Sequence, residues 1–310
     1  MRPLFADPRT DFVFKKIFGT EEHKPVLMAF LNHLLELDEA HRITDVELLS
    51  PEQRPHVDGL KHSIVDVKCI DARGTIYVVE MQVLNVEGFE KRVVYNAAKA
   101  YVGQLGAGNP YPQLNDVIGV SICDFELWPK SKPPHVPMLS RWRMQEQHGG
   151  AHGLGQLQFV FLELPKYDIS RSPEGVVETW AYFFRAANEL REIPEVLARE
   201  PFREALEAAR SARFTEEEWE DYIRAQIALQ DERGALSLAE KQGLQRGLKQ
   251  GHEEGQIDTL RASVRRILAR RGLPLSPEQD ARIEACSDVA TLERWQDEAI
   301  VAASAAEALG

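Results

Sequence analysis

The chain has 310 residues, 44% hydrophobic and 28% charged, an ordinary globular composition with enough length for one large domain with appendages or for two domains. Its net charge of -12 excludes a broadly basic nucleic-acid coat, although a local basic groove needs only a positive patch. No run of 18 or more apolar residues offers a membrane span, and the start MRPLFADPRTD lacks the basic-then-apolar pattern of a secretory signal, so a cytoplasmic protein is expected.

In chain order, TDFVFKKIF (10–18) begins on a candidate N-cap, Thr10, and sets Phe14 and Phe18 on one helical stripe before Gly19. PVLMAFLNHLLEL (25–37) reads as an apolar helix opened by Pro25. ITDVELL is extended, and Asp58-Gly59 signals a turn. SIVDVKCIDARGTIYVVEMQV (63–83) then reads as a strand pair around Ala72-Arg73-Gly74. Period-two alternation places Ile64, Asp66, Lys68 and Ile70 on one face and Val65, Val67 and Cys69 on the other; in the second strand Ile76, Val78, Glu80 and Gln82 share a face. Neither strand has a wholly polar side, as in central strands covered on both faces, which leaves Asp66 and Glu80 to be explained.

FEKRVVYNAAKAYVGQL (89–105) has helical periodicity, and DVIGVSICDF (116–125) is a β-branched buried strand. Strand, helix and strand in succession imply a crossover in a mixed sheet. QLQFVFLEL (156–164) is a last strand, and from about 170 the patterning turns helical. Gly243, Gly247, Gly251 and Gly255 lie four apart in KQGLQRGLKQGHEEG, as a hinge or as a helix-packing surface. IDTLRASVRRILARRG is a basic amphipathic helix that either touches DNA or presents a wet face, and SPEQ (276–279) is a capping box opening another helix. Cys69, Cys123 and Cys286 are far apart and form no CxxC, so neither a disulfide framework nor a zinc site is expected.

A three-residue hairpin loop with Gly74 left-handed pairs residue 71 with 75 and therefore Asp66 with Glu80. Directly opposed carboxylates have Cβ atoms roughly 5 Å apart. In a half-buried site one carboxyl pKa must rise unless a cation neutralises the pair, and hard oxygen ligands suit Mg²⁺ or Mn²⁺. The plainer alternative is two solvent-facing carboxylates on an edge hairpin. Gln82, one side-chain repeat beyond Glu80, is a neutral group able to orient water. Arg92, Asn96 and Lys99 fall near one face of their helix, as phosphate contacts or as a solvated face.

The ordered set TDFVFKKIFG, Asp66, Glu80-x-Gln82, FEKRVVYNAAKAYVGQL and VIGVSICDF, over roughly residues 4–130, resembles the Rpn group of recombination-promoting nucleases and transposases in the PD-(D/E)XK superfamily. The resemblance implies an α/β restriction-endonuclease-like core with a central mixed sheet, and the change of patterning near 170 divides the chain into that core (1–170), a helical region (171–240), the Gly-repeat hinge or helix (241–256) and a small helical C-terminal region (257–310). It also implies a divalent-metal-dependent DNA endonuclease, using Mg²⁺ or Mn²⁺ and linked to recombination or mobile elements. Asp66 and Glu80 would be metal ligands, Gln82 would stand where the superfamily usually has lysine, Asp11 would lie near the site, and Arg92 and Lys99 are candidate phosphate contacts. DNA is the expected partner and the C-terminal helices a candidate homo-oligomer surface. The alternative is a catalytically weakened nuclease-like module that binds DNA or protein.

Overall fold

The structure, a computed structural model, describes residues 2–53, 62–106, 108–150 and 152–310; the turn expected at Asp58-Gly59 lies outside them. The chain divides into two compact units, Met1–Gln230 and Asp231–Gly310.

The first unit is built on β1 (Val46–Leu49), β4 (Val67–Asp71), β5 (Ile76–Gln82), β6 (Val117–Cys123), β7 (Leu139–Gln145) and β8 (Gly153–Glu163), with β2 (Glu52–Gln53) and β3 (Ser63–Ile64) forming a separate two-stranded ribbon. The sheet order is β1-β4-β5-β6-β8-β7; β5, β6 and β8 run parallel and the outer pairings are antiparallel. This is the mixed sheet expected from sequence. Its crossover helix α3 (Phe89–Val102) joins β5 to the parallel β6, and sets Ala97 and Ala100 against Ile76, Val78 and Val117.

The opposite sheet face carries Val67, Cys69, Tyr77, Val79, Val120 and Ile122, and packs with α1 (Asp11–Phe18), α2 (Lys24–Leu35), α4 (Val176–Ala186) and α5 (Phe202–Ala208). Phe14, Phe18, Phe30, Trp180, Phe184 and Phe202 are fully buried in this layer. Burial of each such side chain contributes roughly 1.5–3 kcal/mol, which makes this aromatic layer a dominant apolar contribution to the unit. Residues after 170, read from sequence as a separate helical region, thus supply part of the same core, and the first unit runs on to Gln230.

Three other differences have local causes. The expected continuous strand over 63–71 breaks at a bend at Asp66, so Val65 packs with Ile76 and Val78 on the α3 face while Val67 and Cys69 point the other way. Edge strand β7, LSRWRMQ, has five exposed residues in succession and so lacks the apolar alternation that marks a half-buried strand. The Gly-repeat segment lies inside α6 (Glu216–Arg270), and a methyl added at Gly243, Gly247, Gly251 or Gly255 would meet nothing within 4 Å.

In the second unit Val264 and Leu268 of α6 pack with Ile283 of α7 (Pro277–Ala285), with Leu292, Trp295 and Ala299 of α8 (Val289–Val301), and with Ala305 and Leu309 of α9 (Ala305–Leu309). The capping box forms: Gln279 N–H donates to Ser276 Oγ at 3.2 Å, and Ser276 N–H donates to Gln279 Oε1 at 2.9 Å. Among the described residues no helix is long and apolar enough to cross a membrane.

Candidate functional site

The loop between β4 and β5 sets the geometry of the site. Asp71 N–H donates to Thr75 O at 3.0 Å, Gly74 takes φ +89°, and the ladder pairs Ile70 with Ile76 through Val67 with Val79. One further step would set Asp66 opposite Glu80. At that step the chain leaves the ladder, and Asp66 Oδ2 accepts the Met81 N–H at 2.7 Å. The bend therefore turns the Asp66 carboxylate onto the β5 backbone beside Glu80.

β5 tolerates a carboxylate because the four residues before it, Ile76 to Val79, are all buried. Their burial contributes roughly 1.5–3 kcal/mol per large side chain. A neutral polar group left unpaired costs about 1–3 kcal/mol and a charged one more, so a carboxylate at position 80 needs a hydrogen-bond partner as well as this burial. Glu80 is buried, and Asn96 Nδ2 donates to its Oε1 at 2.7 Å. Burial pushes the Glu80 carboxyl above its ordinary value, against the opposing Asn96 hydrogen bond and Arg92 charge.

Asp66 is shifted further, to about 7. Loss of hydration is the largest cause; the Met81 N–H opposes it, Asp11 raises the value, Lys15 lowers it and Glu80 raises it. The rise expected for opposed carboxylates is present, but burial rather than mutual repulsion drives it. Both carboxyls line a cavity of about 630 Å³, together with Gln82 from β5, residues 62–64 on the ribbon side, and Arg92, Tyr95 and Asn96 from α3.

Gln82 does not hang free in that cavity. Its Nε2 donates to Leu84 O at 2.6 Å, and its Oε1 accepts from Arg92 Nη2. Position 82 therefore holds a guanidinium in place, and the positive charge comes from α3. Arg92 Nε is buried with no hydrogen-bond partner. Lys99 lies farther along the helix, its Nζ 3.5 Å from Ser63 Oγ and 5.7 Å from the Tyr95 ring centroid. Asp11 is exposed in the first turn of α1, paired with Lys15 at 2.6 Å, and acts on Asp66 through its charge. Lys68 is half-buried and its ammonium is pushed below the usual lysine value by burial.

Asn96 was legible from sequence only as part of a polar helix face, yet it is 2% exposed and holds Glu80. The signal that could have found it was its place between Val93 and Ala97, which are both buried. Among the described residues no three His, Cys, Asp or Glu side chains are grouped to hold a metal ion. The two carboxylates nevertheless fit a hard divalent cation, which takes one or two carboxylates and keeps several waters. A cation there would also remove the cost of the two buried like charges.

The model of the PD-(D/E)XK nuclease family transposases matches residues 8–239. The chain belongs to that family. The cavity carboxylates, Arg92 and the helices packed on the sheet all lie inside the matched segment. Neither curated proteins nor solved structures give a match.

Proposed function

We propose that the protein is a metal-dependent DNA endonuclease whose site is centred on Asp66 and Glu80. The observation that carries this reading is the pair of cavity-facing carboxyls, both shifted upward by burial, beside a guanidinium held by Gln82. Asp66 and Glu80 would hold Mg²⁺ or Mn²⁺, which supplies neutralising charge and acidifies a bound water. Arg92 would donate from its unpartnered Nε to a phosphate oxygen, and Lys99 would extend the positive rim along α3. Family membership supports a recombination or mobile-element setting.

A weakened nuclease-like binding module is the second reading, favoured by the glutamine at the position where the superfamily usually has lysine. Supercoiled plasmid separates the two. Cleavage with Mg²⁺ or Mn²⁺ that is abolished by EDTA and by Asp66→Ala or Glu80→Ala is the expected result. A folded protein that binds DNA but cuts none of the forms offered, with either metal, would favour the binding module.

A further inference from the structure

Two neutral amides stand at the site, and their hydrogen bonding differs. Gln82 spends both amide groups inside the protein, its Oε1 on Arg92 and its Nε2 on Leu84 O. Asn96 spends only one. Its Nδ2 donates to Glu80 Oε1 at 2.7 Å, its main-chain carbonyl accepts from Gln53 Nε2 at 3.3 Å, and its Oδ1 is buried with no partner. An ionised carboxylate only accepts, so the N–H side of the amide bonds Glu80 and the carbonyl oxygen is left for another donor. A buried acceptor without a donor is costly and rare in a working structure, and it points to a hydrogen-bearing occupant. Asn96 lines the cavity, is 2% exposed, and sits one helical turn beyond Arg92, whose unpartnered Nε supplies the complementary donor. An acceptor and a donor on neighbouring turns suit a water and a phosphate oxygen side by side.

We infer that Asn96, and not Gln82, is the amide that orients water in this site: its Nδ2 holds the Glu80 carboxylate while its Oδ1 accepts a hydrogen bond from a water bound beside that carboxylate. An amide takes up no proton, so Asn96 is a positioning residue, and Gln82 is the residue that positions Arg92. The inference rests on the endonuclease reading, in which that water attacks phosphorus.

Crystals of the full chain soaked in manganese chloride test it without relying on turnover. Manganese between Asp66 and Glu80, carrying a water within about 3.2 Å of Asn96 Oδ1, is the expected result. Manganese bound there with Oδ1 dry, or with the Asn96 amide reversed, overturns the inference and leaves the metal site standing. No manganese at the pair removes the metal site and the inference together. In solution, Asn96→Ala with a melting curve close to that of the parent chain should lower kcat about 10–100-fold while KM for DNA stays within about twofold. Gln82→Ala should act mainly on KM through Arg92; a parental kcat in Asn96→Ala overturns the assignment.

Discussion

Asp66 carries the clearest electrostatic consequence in the molecule. Its carboxyl titrates near 7 when folded, against 3.8 for a free aspartate, so between those values the folded state holds a proton that the unfolded chain has lost. Stability then falls as pH rises through that window and levels off above it. In EDTA, the thermal midpoint of the wild-type protein should fall between about pH 4 and pH 7 relative to Asp66→Asn, whose amide oxygen can still accept the Met81 N–H. A divalent cation reverses the preference because it takes only the deprotonated carboxylate, and Mn²⁺ affinity should drop about tenfold for each pH unit below 7. Parallel curves for the two proteins in EDTA, or a flat Mn²⁺ affinity by calorimetry, would show that Asp66 does not titrate in this range. At this scale the sequence was legible for spacing and not for partnership. Asp66, Glu80 and Gln82 could be read from period-two alternation, but the groups that decide what each does lie far along the chain: Met81 N–H for Asp66, Asn96 for Glu80 and Arg92 for Gln82.

At the scale of elements, the β4–β5 hairpin governs whether the two carboxyls meet. Asp71 is 6% exposed and accepts from Arg73 N–H at 2.9 Å, from Thr75 N–H at 3.0 Å and from Tyr77 Oη at 3.0 Å, with the Arg73 guanidinium at 2.8 Å. Asp71→Ala would remove the side-chain acceptor of the buried Tyr77 hydroxyl and of the Arg73 and Thr75 main-chain N–H groups. The expected loss is about 2–4 kcal/mol in urea denaturation, with weaker Mn²⁺ binding as the register loosens. A loss below about 0.5 kcal/mol would mean that the ladder alone maintains the register. The turn and register were readable beforehand because Gly74 and the loop length specify them locally. The bend at Asp66 was not, since it depends on a side chain capturing a backbone N–H of the neighbouring strand, and it reverses the face of Val65. Strand β7 escaped for a different reason: as an edge strand it buries Ser140 and exposes Trp142 and Met144, so its pattern carries no inward apolar face.

At the scale of the whole molecule, the least protected structure is the middle of α6, where residues 230–256 are exposed without interruption. Five glycines occur there, at 234, 243, 247, 251 and 255, and a methyl group added at any of them would have open space on every side. Each glycine in an exposed helix costs about 0.8–1 kcal/mol relative to alanine, so within the isolated chain they only weaken the helix. Replacing Gly243, Gly247 and Gly251 together by Ala should therefore stabilise the segment by about 2.5–3 kcal/mol and slow amide hydrogen exchange over 240–255 by about a hundredfold. The contrary result carries information. Leu244 and Leu248 are exposed beside the same glycines, and a second copy packed closely against this stretch would leave no room for the added methyl groups. In that case the triple substitution would shift the sedimentation equilibrium towards monomer and leave exchange unchanged or faster. Helix propensity predicts protection in the single chain, whereas close packing between copies predicts dissociation, so the sign of the two measurements decides what the four-residue glycine spacing is for.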